Sequence, residues 1–410
     1  MTPYSLFYFL ILIIIIVFLV DSLLSILNAR HYTKEIPEEL VDVYPDEEYQ
    51  KSIDYKKANF KFKLVSSTIS LIIMLLFFFL DGFSLVDSIS RSVSNNPVII
   101  GLVFFGIIMI GGDLLSTPAV YYKIFVIEEK FGFNKTTIAT FFTDKIKGIL
   151  MMIIVGGGLL ALVMWFYQLT GPYFWIYAWI LFSIFTLAMN MFYAKLIVPI
   201  FNKQIPLETG ELRDTIEAYA KRVGFQLKDI FIIDGSKRST KANAYFSGFG
   251  SEKRITLYDT LIKDLTKEEV VAVLAHEVGH YKKKHVIVNL FLSIALTGLT
   301  LWFLSLLIAN PILSEALGVE KASFHIGLIA FGILYSPISE VTGLLMNIVS
   351  RVFEYQADDY AKNTYNAEAL ISSLKKLSKN NLSNLTPHPA MVFIHYSHPT
   401  LLQRIKNLKK

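Results

Sequence analysis

Residues 270–285 carry His276-Glu277-Val278-Gly279-His280, an H-E-x-x-H pattern. On a helix, histidines four apart lie on one face, and two neutral imidazoles held that way can fill two positions of a zinc tetrahedron. Glu277 sits beside them, suited to act as general base on water at the metal. The competing reading is a chance pair of histidines on a solvated helix. A catalytic zinc takes three protein ligands and keeps one position open, so a third ligand is needed. The chain has no cysteine, so it must come from His, Asp or Glu. Residues 350–358 offer Glu354 and Asp358 one helical turn apart. Glu354, in an otherwise apolar run, is the candidate ligand. Asp358 can accept a hydrogen bond from a ligand histidine and fix its tautomer. The alternative for both is a solvated acidic helix face. His398 and Arg404, near the C-terminus, could stabilise an oxyanion or a substrate carboxylate, or be surface residues. His31, His285, His325 and His388 read as ordinary surface or interface histidines.

The element that must carry the motif is a helix. Thr266 reads as its N-cap, with Glu269 at the capping-box position. Upstream, residues 208–223 read as an amphipathic helix and 230–233 as a short buried strand. Residues 243–248 and 254–258 read as a hairpin around Gly250-Ser251. A strand just before the motif helix could offer its edge to an extended peptide.

Seven apolar segments are long enough to cross a bilayer, at 4–25, 64–83, 97–115, 148–169, 173–195, 286–309 and 324–348. The 410 residues are 53% hydrophobic, with mean hydropathy +0.49, which fits a multi-pass membrane protein. A net charge of +5 does not suggest nucleic acid. The first segment lacks a basic leader and reads as a retained span. Lys and Arg concentrate in alternate loops and the tail, which puts those loops, and the zinc motif, on the cytoplasmic side. The division expected is 1–200 (five spans and their loops), 201–285 (motif-bearing soluble segment), 286–350 (two spans) and 351–410 (polar tail with the third ligand). Asp81, Asp113, Asn190 and Glu340 lie in or near spans, where ionisable or polar groups are costly unless they face protein or water. Asp81 reads as interfacial. Bound zinc would tie two membrane helices together near the cytoplasmic surface, which favours lipid-linked or membrane-embedded peptides as substrates.

The chain resembles the CAAX prenyl protease type I family of integral-membrane zinc endopeptidases. FVIEEKFGFNKTT (125–137), KANAYFSGFG (241–250), LAHEVGH (274–280), SRVFEYQAD (350–358) and HYSHPTLLQRI (395–405) carry the resemblance, in the family's order. It implies a mainly α fold with seven transmembrane helices enclosing a chamber, closed by a cytosolic metalloprotease domain with a small β-hairpin or sheet. It implies one zinc on His276, His280 and Glu354, Glu277 as general base, and Asp358 behind the ligands. It further implies substrate contacts at Asn243 and Ala244, and assistance from His398 and Arg404. The expected function is hydrolysis near the C-terminus of prenylated or membrane-linked peptides. The alternatives are a quality-control membrane metalloprotease and a transport or lipid-binding protein with structural zinc. No Lys-Asp-Glu-Leu type retention signal is seen, which favours a bacterial inner membrane, with the endoplasmic reticulum as the eukaryotic counterpart.

Overall fold

In the computed structural model, which describes residues 1–33, 35–227, 229–247 and 254–410, the apolar runs become long helices with identifiable starts. Thr2 accepts the Ser5 amide at the head of Pro3–Ala29, and Asn96 accepts the Val98 amide at the head of Pro97–Tyr122. Each cap satisfies an amide the helix leaves unpaired, worth about 1 kcal/mol.

Among the described residues, six continuous helical stretches are long and apolar enough to cross a bilayer: Pro3–Ala29, Glu47–Phe79, Pro97–Glu128, Ile138–Phe201, His285–Leu307 and Phe324–Thr364. The fourth runs 64 residues, far longer than one bilayer needs. It turns back at Gly171–Tyr173, where Gly171 takes φ 52°. Its arms, Gly157–Thr170 and Phe174–Leu196, pack on each other and hold most of the fifth expected segment and the second half of the fourth, which begins in Ile138–Met151 and Met152–Gly156. The seven expected segments thus ride on six stretches.

Two expected loops and the start of the tail are partly helical. The second helix begins at Asp46, so it takes up half of the polar stretch at 30–63. The seventh span continues as one 41-residue helix to Thr364, carrying Glu354 and Asp358 with it. At 46–63 and 349–364 the polar residues adjoining the span contain no Gly or Pro to end the helix. The basic stretch at 121–147 likewise holds a π-helical segment, Lys123–Glu128, and part of Ile138–Met151.

The spans do not form a solid bundle, which would bury a stripe of every helix. Only 6% to 28% of each stretch's most apolar window is buried. Asn190 and Glu340 are exposed on their spans, and Asp113 pairs with Lys145 at 2.9 Å. Polar and charged groups within spans are costly unless they meet protein or water. Asp81 sits between two helices with φ 52°, at a span end. His325, expected at a surface or interface, is 3% exposed and bonds Asp87 at 2.7 Å. Burying an imidazole requires such a partner.

One sheet lies outside the spans, in the order β1-β2-β4-β3. Its strands are β1 (Gln204–Pro206), β2 (Asp229–Ile233), β3 (Ala244–Ser247) and β4 (Arg254–Tyr258). β3 and β4 are antiparallel with Ala244 opposite Leu257, and β2 and β4 are parallel with Ile230 opposite Ile255. The expected hairpin pairing is present, and its Gly250-Ser251 turn lies outside the described residues. The amphipathic helix runs Glu211–Arg222. Ile230 and Leu257 of the sheet join Leu40, Ile127, Val271, Leu274, Leu370 and Ile405 in one buried cluster. Segments from both basic loops and the tail therefore close over the sheet and the motif helix.

Candidate active site

The motif helix, Lys267–Lys282, starts on a capping box: Thr266 Oγ1 accepts the Glu269 amide, and Glu269 Oε2 accepts the Thr266 amide. Val270, Val271, Leu274, Ala275 and Val278 are buried in the core. Their burial fixes the helix's rotation and leaves His276, Glu277 and His280 on one cavity of about 320 Å³. The Nε2 atoms of His276 and His280 lie 3.1 Å apart. Glu354 enters from Phe324–Thr364, with Oε2 3.4 Å from His276 Nε2 and Oε1 3.3 Å from His280 Nε2.

One ligand atom from each of His276, His280 and Glu354 falls within 4.8 Å of the others. Tetrahedral zinc with bonds of about 2.0–2.1 Å separates its ligand atoms by about 3.3 Å, close to the spacing of these side chains. Glu354 is 4% exposed, and its Oε2 has no hydrogen-bond partner. A buried orphan carboxylate oxygen is costly, and a cation relieves it. The donor set fits zinc.

Asp358 is fully buried and lies 2.9 Å from His276 Nδ1 through Oδ1. Arg404 donates to it twice, from Nε at 2.9 Å and Nη2 at 2.5 Å, the bidentate geometry that suits guanidinium and carboxylate. Arg404 Nη1 is 3.6 Å from Glu354 Oε2. Burial and the Arg404 charge pull the His276 imidazole down, but the Asp358 and Glu354 carboxylates outweigh them and raise it to about 9. His398 stands at the rim, 62% exposed, with Nε2 3.3 Å from Glu354 Oε1 and Nδ1 2.9 Å from Ser397 Oγ. Asn243 and Ala244 line the same cavity, at the start of β3, an edge of the sheet. Every candidate site residue therefore comes to one place.

Residues 206–410 match peptidase family M48, and residues 25–203 match the CAAX prenyl protease N-terminal family, described as five membrane helices. The chain is 38% identical to a CAAX prenyl protease 1 homolog of Dictyostelium discoideum, across 93% of this chain and 91% of that one. It is 35% identical to CAAX prenyl protease 1 of Saccharomyces cerevisiae, across 94% and 91%. The crystal structure of S. mikatae Ste24p superposes with a TM-score of 0.93 at 34% identity, covering 99% of each chain.

The chain belongs to the CAAX prenyl protease family of M48 peptidases. It is an integral-membrane zinc metallopeptidase, mainly helical, with the fold of Ste24p.

In this M48 peptidase one residue beside the cluster escapes a reading of the sequence. His285, expected at a surface or interface, is 2% exposed. Its Nδ1 lies 3.0 Å from His280 Nδ1, and its Nε2 lies 2.8 Å from Gln356 Oε1. Its ring stacks on Phe353, centroids 4.1 Å apart and 6° from parallel. The available signal was a third histidine in the same run, immediately before an apolar span. Helical counting does not reach it, because Lys284, with φ 62°, ends the periodicity.

Proposed function

We propose that the protein hydrolyses a peptide bond near the C-terminus of prenylated CAAX-type proteins or other membrane-linked peptides. The observation that carries this reading is a single cavity where His276, His280 and Glu354 converge beside Glu277 and the edge of β3. His276, His280 and Glu354 would hold the zinc ion, which when bound would supply Lewis-acid polarisation of the scissile carbonyl. Glu277, outside the ligand set, takes a proton from the attacking water and passes it to the departing amine. His398, at the rim, donates to the oxygen that gains negative charge. Arg404 holds Asp358 against His276 and adds fixed positive charge. Asn243 and Ala244 guide an extended peptide that adds to the β3 edge.

The cytoplasmic orientation proposed for the site is supported by the basic residues of alternate loops. In a bacterium that membrane is the inner one, and in a eukaryote the endoplasmic reticulum. The proposed boundary at residue 200 is supported by the join of the two family matches between 203 and 206. The prenyl preference is supported by the relatives' names.

Matched peptides with and without a prenyl group, assayed in one detergent, test the substrate. Detergent already solvates the lipid, so an enzyme-specific gain of about 2–3 kcal/mol is expected, or roughly 30–150-fold. It should appear mainly in KM, since the lipid lies away from the scissile bond. Equal kcat/KM values would leave the zinc chemistry standing and favour general membrane proteolysis.

A further inference from the structure

Each ligand histidine has a second ring nitrogen, and the group it meets sets the tautomer that faces the metal. For His276 that group is the Asp358 carboxylate. For His280 it is His285. We propose that His285 is a positioning residue for the metal site: it accepts the Nδ1–H of His280, leaving His280 Nε2 bare and aimed at zinc. The inference rests on the zinc reading above.

The proton positions follow from the bonds. His280 must offer an unprotonated Nε2 to a cation, so its proton sits on Nδ1. Nδ1 of His285, 3.0 Å away, is then the acceptor. His285's own proton sits on Nε2 and goes to Gln356 Oε1 at 2.8 Å. With His280 Nε2 reserved for a cation, every polar atom in the chain of bonds has one role. The two ligand histidines are thus backed by unlike partners, one anionic and one neutral.

The surroundings hold His285 to this task. It is buried to 2% exposure and lies flat on Phe353. Phe353 and Gln356 flank Glu354 on the long helix, so one helical turn carries both a ligand and the support of another. On an uninterrupted helix a residue five positions after His280 would face about 140° away. The left-handed Lys284 breaks the helix, and His285 opens the next one facing back toward His280. The backbone departure and the histidine act together.

The test uses the full-length protein in detergent, stripped of metal, with zinc affinity measured by competition against a chelating dye. His285→Phe keeps a ring on Phe353 but removes the acceptor. His285→Asn drops the ring but puts Oδ1 near the position of Nδ1. The Phe variant is expected to bind zinc about 10–100-fold more weakly, and the Asn variant within about threefold of wild type. Gln356→Leu breaks the outer bond only and is expected to weaken zinc by less than the Phe variant. Wild-type affinity in the Phe variant, or equal losses in Phe and Asn, would reduce His285 to packing and overturn the proposal. A wild-type protein that binds no zinc overturns the metal reading and this inference with it.

Discussion

A Cβ on Gly279 would stand 3.0 Å from the Cα of Ala357. The motif helix and the long helix therefore touch nearly backbone to backbone beside His280 and Glu354. Exchanging Gly for Ala in a helix normally stabilises by about 1 kcal/mol. Here the new methyl meets main chain that cannot swing aside, and overpacking costs about 1–3 kcal/mol. Packing wins, and the helices must part by some tenths of an ångström. Gly279→Ala should weaken zinc and cut peptidase activity at least about tenfold, and Gly279→Leu should abolish both. Full metal content and full rate in the Ala variant would mean that the contact has slack.

Glu277→Gln should leave zinc stoichiometric and the thermal midpoint unchanged, because Glu277 stands outside the ligand set. Turnover should fall by about 10²–10⁴. Metal content and rate, measured on the same preparation, check this. Substantial activity at full zinc occupancy would remove Glu277 from the role of base.

Glu354→Ala should lose both zinc affinity and activity, since it deletes a ligand oxygen. Asp358→Ala should loosen zinc by a smaller factor, about 10–100-fold. It should also unfold earlier. Arg404, with a side chain 12% exposed, would lose both hydrogen bonds to the carboxylate and keep only Glu354 at 3.6 Å, and breaking a buried pair costs up to about 3–5 kcal/mol. Chelator competition and thermal unfolding separate the two effects. Tight zinc in Glu354→Ala would require a different third ligand.

Glu269 predicts an acid sensitivity. Burial alone would raise its carboxyl, but bonds from Lys376, Ser372 and the Thr266 amide hold it below its ordinary value of 4.5. The folded protein then takes up this proton less readily than the unfolded chain. The stabilisation is fully present above the ordinary value and is lost as pH falls through the lower folded one. Between about pH 5 and 3, the thermal midpoint of wild type should fall more steeply than that of Glu269→Gln. Parallel curves would show that the carboxylate contributes nothing to folding.

The candidate ligands were legible because ligation demands particular residue types at helical offsets. His276, His280, the Thr266–Glu269 cap and the Glu354–Asp358 pair can all be found by counting. Arg404 could be named, but not its two bonds to Asp358, since pairing across distant segments leaves no periodic trace. His285 was missed because a single left-handed residue resets the count. Hydropathy marked where the apolar spans lie but not where their helices end: residues 46–63 and 349–364 stay helical after polarity sets in. β1 is three residues held by backbone pairing to β2, and no side-chain pattern announces it.

Pro337 lies inside the long helix, about 25 Å along its axis from Glu354. A proline there removes one backbone bond and lets the rod flex. A bend of only about 5° would sweep Glu354 through roughly 2 Å, as much as an entire zinc–ligand bond. The rod is moored between those two points. Asn347 donates to the Ile394 carbonyl at 2.8 Å, and Arg351 to those of Val392 at 3.2 Å and Tyr396 at 2.5 Å. The candidate metal cluster is the working end of a lever, and its accuracy depends on ropes tied to a short helix, Pro389–His395, and the residue just after it, none of which belongs to the cluster.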